Sequence, residues 1–374
     1  MTGRTALVIG GTGPTGPDVV RGLRERGFDT TVFHSGRHEV DDLPPEVRHL
    51  HGDPHFAETL AEALGGREFD VVVAQYGRLR HITQHFRHRT GHLVAIGGLM
   101  SPLARVEDTR WGPLGRPALV REEARHFRTD GEGDRLGLRV AEAARGLAAA
   151  RAEGAFRATY IAYPTLYGPR QPGSPEWSIV RRLRDGRRHI VVPDGGRRLE
   201  SRAFVRNVGL APLLAVDRPE TADGASYVVT DRETYEVRQR IEWIARYMGV
   251  DVELVDLPYD VATPAHPYYR GGQQHRVVLG ERIRSDLGYE DRYDAASALQ
   301  QTVDSLLSAS DTDINEIEEQ LGDPFDYAQE DQLIDWWRRT RDDGPRPAGQ
   351  PFRYAHIYRH PTGPGESWRR PPAR

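Results

Sequence analysis

The chain has 374 residues, of which 38% are hydrophobic and 28% are charged, and its formal net charge at pH 7 is -4. This length and composition are typical of a globular protein with one large domain and a smaller appended one, and the charge indicates no nucleic-acid partner. The sequence contains no cysteine and no lysine, so all 51 lysine-or-arginine positions are arginines. Disulfides, thiolate nucleophiles and lysine catalysis are therefore excluded.

The apolar segments of the sequence are short. Runs such as residues 6–9 and 71–74 suit buried strands and are far below the length that crosses a bilayer, so we expect no membrane partner. The N-terminus has a single arginine before its apolar run and no small-residue cleavage site, which predicts no signal peptide. Together with the lack of cysteine, these features predict a cytoplasmic protein.

The first half of the chain alternates short β-rich runs with helical patterns, which is typical of a parallel sheet covered by helices. Strands are predicted at residues 5–9, 30–33, 47–51, 71–74, 92–96 and 159–162, and helices at 17–26, 56–64, 81–89 and 135–152. Beyond residue 168 the elements become shorter, with a strand at 227–230, a helix at 237–248 and a strand at 251–255, which suggests a small mixed domain. From about residue 311 the chain is acidic, and it ends rich in proline and arginine.

A glycine-rich turn lies between the first predicted strand and the first predicted helix. Glycines spaced G-x-x-G-x-x-G permit a tight turn and a close approach of the backbone to a pyrophosphate. The N-terminus of the following helix supplies N–H groups and a partial positive charge to the same phosphates. We therefore predict a dinucleotide-binding turn formed by Gly10, Thr12, Gly13, Pro14, Thr15 and Gly16.

The end of the second predicted strand indicates the type of dinucleotide. An acidic residue at this place would bind the ribose 2′-hydroxyl of NAD, but the sequence has no carboxylate there before Glu39. Ser35 and Arg37, with His34 as a further candidate, could bind a 2′-phosphate instead, because guanidinium forms paired hydrogen bonds with phosphate. The sequence thus predicts NADP(H) and leaves NAD(H) as the alternative. Tyr76, which follows the fourth predicted strand, is expected at the same cofactor edge.

Taken together, these features resemble the extended short-chain dehydrogenase/reductases, the NAD-dependent epimerase/dehydratase family. The resemblance runs from about residue 4 to residue 305. It includes the motifs His51-Gly52-Asp53, Tyr167-Gly168-Pro169-Arg170, Phe204-Val205-Arg206-Asn207-Val208 and the Leu287-Gly288-Tyr289 end of a late helix.

The resemblance implies an α/β fold with a doubly wound parallel Rossmann sheet and a smaller C-terminal mixed α/β substrate domain. We expect the Rossmann domain in residues 1–168, with some later segments returning to it, the substrate domain in 169–310, and an extension in 311–374. It also implies that Asp53 contacts the adenine, that Tyr163 and Thr165 lie near the nicotinamide, and that the protein is a homodimer acting on a small molecule.

The catalytic pattern departs from that family. The family uses a Ser or Thr after the fifth strand and a Tyr-x-x-x-Lys on the following helix, where the Lys lowers the Tyr pKa. Here the fifth strand runs into glycines without a hydroxyl at that place, and Arg135 and Arg139 stand at the Tyr and Lys positions. A register shifted by one residue places Asp134 and Leu138 there. We take Asp134, Arg135, Arg139 and Tyr163 as the candidates for a substituted relay, with Glu132, His126, Tyr76 and Tyr167 as further candidates for proton transfer.

Three other groups of side chains allow two interpretations each. His81, His85, His88 and His92 recur at helical spacing without a carboxylate or cysteine, so we favour a solvated or subunit-facing helix over a metal site and predict no metal. The aromatic residues of the acidic segment are expected to anchor it onto the body. The basic stretch is either solvated charge or a site for an anionic substrate, and it comprises Arg181, Arg182, Arg184, Arg187, Arg188, Arg197, Arg198 and Arg202.

The sequence leaves three functional hypotheses. The first is an NADP(H)-binding biosynthetic enzyme of the epimerase, dehydratase or reductase type with a substituted proton relay. The second is a redox-silent cyclase, isomerase or lyase on the same scaffold. The third is a nucleotide-sensing regulatory protein, which needs the glycine turn but no relay.

Overall fold

The computed structural model describes residues 3–36, 43–75, 77–99, 118–122, 135–262 and 274–342, with the backbone alone described at 135–138 and 342. The chain divides into two compact units, Met1–Glu330 and Asp331–Arg374. The first unit contains the sheet and the candidate site. The boundaries predicted at residues 168 and 310 stay predictions.

The strands of the described residues begin and end close to the predicted apolar runs. They are β1 (Thr5–Ile9), β2 (Asp29–His34), β3 (Arg48–His51), β4 (Phe69–Ala74), β5 (Thr90–Gly98), β6 (Leu119–Arg121), β7 (Arg157–Tyr163), β8 (Thr165–Tyr167), β9 (His189–Pro193), β10 (Arg202–Phe204), β11 (Ser226–Val228), β12 (Glu253–Leu257) and β13 (Val277–Leu279).

Within the described ranges, seven parallel strands form the main sheet in the order β11-β7-β5-β4-β1-β2-β3. The strand around Tyr227, expected from sequence in the small domain, is β11 and pairs with β7 at the edge of this sheet. Shorter parallel pairs join β10 to β8, β12 to β9 and β13 to β6. The order of the strands reverses between β1 and β4, and in open α/β sheets ligands bind at the carboxyl ends of the strands at such a point.

The helices of the described residues cover the sheet and build the smaller part of the first unit. They are α1 (Gly16–Glu25), α2 (Ala57–Leu64), α3 (Leu79–His85), α4 (Arg135–Ala152), α5 (Glu176–Arg184), α6 (Val205–Val208), α7 (Leu210–Asp217), α8 (Pro219–Ala222), α9 (Val237–Tyr247), α10 (Tyr259–Ala262), α11 (Glu281–Leu287), α12 (Ala295–Leu307), α13 (Asp311–Leu321) and α14 (Tyr327–Asp342). A single 3₁₀ turn spans Asp194–Gly196.

The alternation of side chains along β1 shows that both faces of the sheet are buried. Ala6 and Val8 belong to a hydrophobic cluster that includes residues of α1, α7 and α11. Leu7 and Ile9 point to the other face, into a cluster with residues of α2, α3 and α4. A third cluster, built from α5, α9 and α12 with β9, forms the core of the smaller part. The predicted doubly wound α/β fold is confirmed.

The predicted histidine helix is wrong at its C-terminal end. Helix α3 ends at His85, and His92 lies in the middle of β5, where its ring is buried. His88 lies in the connection between the two with φ 57°. The four-residue spacing from His88 to His92 therefore does not reflect a helix, because β5 begins only five residues after α3 ends. No helix in the described part of the chain is both long and apolar enough to cross a membrane.

Candidate functional site

The glycine turn connects β1 to α1 at the switch point and is held by its own backbone. Gly10, at φ 81°, donates its N–H to the carbonyl of Phe33 at 2.9 Å. Gly13 donates to the carbonyl of Gly10, and Gly16 to that of Gly13, each at 3.0 Å. A positive φ favours glycine because an L side chain rarely adopts that conformation. The turn is therefore a preformed loop with its glycines at the predicted positions.

Close packing explains the other glycines of the turn. A Cβ at Gly16 would lie 2.1 Å from the carbonyl oxygen of Gly11, which is backbone and cannot move aside alone. A Cβ at Gly11 would lie 2.9 Å from Cγ1 of Val32 on β2. Gly16 thus brings α1 against the turn, and Gly11 brings the turn against the sheet.

A polar pair below the turn was missed in the sequence. Thr15 is the N-cap residue of α1, and in the described part of the chain its hydroxyl makes no capping hydrogen bond and donates instead to Oε1 of Gln75. Gln75 directly follows β4, and its backbone N–H donates to the carbonyl of Ile9 at 2.9 Å. Its Nε2 is buried and has no hydrogen-bond partner among the described residues. A polar residue directly after a buried strand at the switch point is the signal that could have identified it.

Three histidines, His34, His49 and His51, cluster at the end of β2, the place that distinguishes NAD from NADP in dinucleotide-binding folds. Nδ1 of His34 accepts from the N–H of Gly36 at 3.3 Å, so its Nε2 carries the hydrogen and donates to Nδ1 of His49 at 3.0 Å. Burial and the neighbouring His51 and His49 lower the pKa of His34 to about 4. His34 is therefore neutral and turned toward β3, which does not suit it as the cation for a 2′-phosphate. Ser35 beside it is exposed.

Asp53 follows β3, as the resemblance implies, and its carboxylate holds the local turn. Oδ1 accepts from the backbone N–H of His55 at 2.9 Å and contacts the His55 ring at 2.8 Å. The loop after β4 packs against this turn, since a Cβ at Gly77 would lie 2.6 Å from Cβ of Pro54. Asp53 is therefore positioned near the switch point, while its role toward an adenine stays a prediction.

Tyrosine hydroxyls near the carboxyl ends of β5 and β7 are already bonded to backbone. Tyr160 donates to the carbonyl of Gly98 at 2.8 Å, and a Cβ at Gly97 would lie 2.2 Å from that hydroxyl. Tyr163 donates to the carbonyl of Val208 at 3.0 Å within the core. Burial raises the pKa of both phenols. This geometry argues against Tyr163 as a proton donor or acceptor, because its hydroxyl is committed and away from solvent.

Two predicted residues lie in the open. Arg139 is exposed on α4, and its neighbour Val140 comes within 3.8 Å of where a Cβ of Gly98 would stand, so this turn of α4 covers the end of β5. Thr165 is exposed at the start of β8. Arg37, Tyr76 and Asp134 lie outside the described residues, and so does the side chain of Arg135.

Tyr167, a further candidate for proton transfer, is fully buried in a polar network. Its hydroxyl donates to Oδ2 of Asp231 at 2.7 Å, and the backbone N–H of Phe204 donates to Oδ1 at 3.0 Å. Burial raises the pKa of Asp231. The guanidinium of Arg240 stacks 4.3 Å from the centre of the Tyr167 ring. This network joins β8, β10 and the segment after β11, and it bonds the Tyr167 hydroxyl to Asp231.

Several arginines of the basic stretch are buried and paired, so the interpretation as solvated charge is wrong for them. Arg202 donates to Glu176 at 2.6 Å and Arg182 to Asp323 at 2.6 Å, with all four side chains buried. The exposed members of the stretch include Arg184, Arg188 and Arg197. Among the described residues, no group of histidine, aspartate and glutamate side chains is arranged to hold a metal ion.

Comparison with known proteins shows similarity in fold rather than in sequence. No protein-family model matches the chain, and no curated protein is similar to it in sequence. Solved structures share its fold at low identity. UDP-galactose 4-epimerase has a TM-score of 0.61 at 16% identity, covering 81% of this chain and 98% of that one.

Two further structures contain NAD. UDP-glucose 4-epimerase from Thermus thermophilus has a TM-score of 0.59 at 17% identity, covering 82% of this chain and 100% of that one. dTDP-glucose 4,6-dehydratase from Bacillus anthracis has a TM-score of 0.59 at 15% identity, covering 82% and 97%. The chain thus has the Rossmann-type fold of the epimerases and dehydratases that its motifs resemble.

Proposed function

We propose that this chain is a nicotinamide-dinucleotide-binding enzyme of the epimerase/dehydratase type whose proton relay differs from Tyr-x-x-x-Lys. The observation that carries the proposal is the preformed glycine turn at the switch point between β1 and β4. The shared fold with epimerases and dehydratases, two of them solved with NAD, supports it.

The residues of the turn fit a dinucleotide phosphate. Neighbouring atoms occupy the space that a Cβ would need at Gly11 and at Gly16. The turn can therefore form only without side chains at these two residues. Helix α1 begins there without a side-chain cap from Thr15. The N-terminus of α1 carries a partial positive charge, which favours an anion. Gly10, Thr12, Gly13, Pro14, Thr15 and Gly16 would hold the pyrophosphate, with Asp53 toward the adenine.

Once bound, the nicotinamide would accept or supply a hydride. The chain's own residues would orient it and move the accompanying proton. Arg139, exposed beside the end of β5, suits a ribose or phosphate oxygen, since a guanidinium donates paired hydrogen bonds to such oxygens. Asp134 is the candidate for proton transfer, with Arg135 beside it, and the bonded hydroxyl of Tyr163 is not part of the proposed relay.

The choice between the two dinucleotides rests on opposing observations. Arg37 and the missing carboxylate at the end of β2 favour NADP(H). The neutral, inward-turned His34 removes one of the predicted 2′-phosphate ligands, and the relatives in fold that contain NAD favour NAD(H). The proposal therefore names a nicotinamide dinucleotide, and a competition titration between NADH and NADPH decides the preference.

The proposed substrate is a small molecule with an anionic group, which the exposed Arg184, Arg188 and Arg197 could bind. The named relatives act on UDP- and dTDP-sugars, so these are the first compounds to test. We also propose a homodimer, in which α3 and α4 would contribute the contact. Sedimentation velocity tests that state directly.

Incubation of the purified protein with NADH or NADPH, their oxidised forms and UDP-glucose, UDP-galactose or dTDP-glucose tests the function. We expect a changed sugar detected by NMR, which disappears when the dinucleotide is removed and returns when it is added back. Product formed equally well without any dinucleotide would support the redox-silent alternative. Dinucleotide binding without turnover of these sugars would favour the sensor and contradict the proposal for this substrate class.

A further inference from the structure

Gln75 lies at the switch point, where β1 and β4 end side by side. It is the first residue after β4, and its backbone is tied to the last residue of β1 by the N–H bond to Ile9 at 2.9 Å. Its amide oxygen accepts the hydroxyl hydrogen of Thr15, the residue from which α1 begins. Gln75 is therefore bonded both to the end of β1 and to the start of α1, the two elements that the glycine turn connects.

The hydrogen bond to Gln75 changes what Thr15 does at the start of α1. A threonine at the N-cap commonly accepts a hydrogen bond from an N–H of the first turn. Here the Thr15 hydroxyl donates to Gln75 and, in the part of the chain that the structure describes, caps no N–H of α1. Gly16, the first residue of α1, donates its N–H to the carbonyl of Gly13, and Pro17 after it has no N–H.

The other end of the Gln75 amide is its Nε2 group. With Oε1 bonded to Thr15, the two hydrogens of Nε2 are buried and find no acceptor among the residues described. Native proteins pair nearly all buried donors, and an orphaned donor beside a binding site indicates a missing acceptor. A dinucleotide held on the glycine turn would supply acceptor oxygens near this residue.

We infer that Gln75 is a dinucleotide-binding residue that donates a hydrogen bond from Nε2 to an oxygen of the bound nucleotide's phosphate or ribose, with Thr15 holding the amide in orientation. This inference rests on the proposed function, since it needs a dinucleotide on the turn. A donor at this place complements the partial positive charge at the start of α1, because both favour the same anionic group.

Replacing Gln75 by Glu separates this role from a purely structural one. In Gln75→Glu the carboxylate still accepts the Thr15 hydroxyl, but the donor is lost and a negative charge faces the phosphate. Losing a hydrogen bond to a charged group weakens binding about tenfold to a hundredfold, so we expect the Kd for NADH and NADPH to rise by that factor. Kd is measured at about pH 8 by fluorescence titration of the full chain, where a carboxyl is ionised.

Gln301→Glu is the matched control, because it makes the same change on α12, where the side chain accepts from Arg206. We expect its Kd to equal that of the wild type. Gln75→Met, which has similar length and no donor, covers the case in which Gln75→Glu does not fold, and its Kd should rise about threefold or more. Thermal melts of each variant report folding.

The outcomes are distinguishable. Weaker binding by folded Gln75→Glu or Gln75→Met, with Gln301→Glu unchanged, supports the inference. Binding at wild-type affinity by these Gln75 variants overturns it and leaves the proposed function standing. A wild-type chain that binds neither NADH nor NADPH overturns the proposed function and this inference together.

Discussion

Gly16 offers the sharpest single-residue test of the turn. A Cβ at this position would meet backbone atoms of Gly11 at 2.1 to 2.3 Å, so Gly16→Ala must displace α1 or the turn. We expect the free energy of unfolding to fall by roughly 2 kcal/mol or more and dinucleotide binding to be lost. Urea unfolding and fluorescence titration measure the two effects.

Gly146→Ala is the matched control for Gly16→Ala, because it makes the same substitution away from the turn. Gly146 is exposed on α4 with open space where its Cβ would stand. Alanine is the better helix former, so this change should raise the free energy of unfolding by about 0.5 to 1 kcal/mol. An equal, small effect of both substitutions would show that the turn tolerates a side chain and would contradict its close packing.

His92 predicts how stability depends on pH. Thr159 donates its hydroxyl hydrogen to the carbonyl of Ala222, so its oxygen accepts from Nε2 of His92, and Nδ1 has no partner in the described structure. Burial lowers the pKa of His92 from 6.5 to about 4. Because the folded pKa lies below the unfolded one, only the unfolded chain binds the proton between these values, so stability falls as pH decreases from 6.5 toward 4.

Urea unfolding at several pH values between 7 and 4.5 measures this slope, to which one such residue contributes at most about 1.4 kcal/mol per pH unit. His92→Gln retains a donor for Thr159 and should flatten the slope. The slope that remains comes from other groups, among them His34 and His85, whose pKa values burial also lowers. Parallel slopes in the wild type and His92→Gln would contradict the assignment.

At the scale of elements, a buried arginine ties the acidic segment to α5. Arg182 bonds Asp323 at 2.6 Å and Glu330 at 2.9 Å, and all three side chains are buried. Arg182→Met leaves Asp323 and Glu330 buried without this guanidinium. Among the described residues, only Glu330 retains a second one, that of Arg187 at 3.8 Å. The loss should cost about 3 to 5 kcal/mol of unfolding free energy. Arg181→Met, on the same helix but about a third exposed, should cost about 1 kcal/mol or less.

Urea unfolding measures both variants. Adding Asp323→Asn and Glu330→Gln to Arg182→Met removes the uncompensated charge and should recover part of the loss. If Arg182→Met costs no more than Arg181→Met, the network does not hold the segment.

The same elements show what the sequence could predict and what it could not. The strand at residues 5–9 was predicted with its observed bounds, because its signal is a local apolar run. The ion pairs of Arg182 were not predicted, because the carboxylates of Asp323 and Glu330 lie 141 and 148 residues further along the chain. The aromatic anchor was predicted in part, since Phe325 stacks with Arg182 at 5.2 Å.

The candidate site also contains features that local sequence predicts and features that only the tertiary structure reveals. The glycine turn could be predicted because its constraints act over seven consecutive residues. Gln75 was missed, because a polar residue after a strand becomes informative only with the pairing of β4 with β1, which brings it to Thr15. Tyr163 was predicted near the nicotinamide from its place in the chain, but the side-chain direction that buries its hydroxyl against Val208 arises only from packing.

At the scale of the whole molecule, a dinucleotide that binds only the folded chain must stabilise it. With free ligand at 100 times Kd, the free energy of unfolding should rise by about 2.7 kcal/mol, and the better-bound dinucleotide should give the larger rise at equal concentration. Urea unfolding with NADH and with NADPH therefore measures cofactor preference through a property of the entire fold. Gly16→Ala, which is expected to lose the site, should show no rise with either ligand.

Urea unfolding of Arg37→Ala with each dinucleotide tests whether Arg37 causes a preference for NADPH over NADH. If Arg37 binds the 2′-phosphate, its removal should reduce the stabilisation by NADPH and leave that by NADH intact, because NADH has no 2′-phosphate. If the wild-type chain is stabilised more by NADH, and Arg37→Ala changes neither response, the arginine has no part in selection. The preference would then come from the remaining residues at the end of β2, where the neutral His34 is bonded to His49.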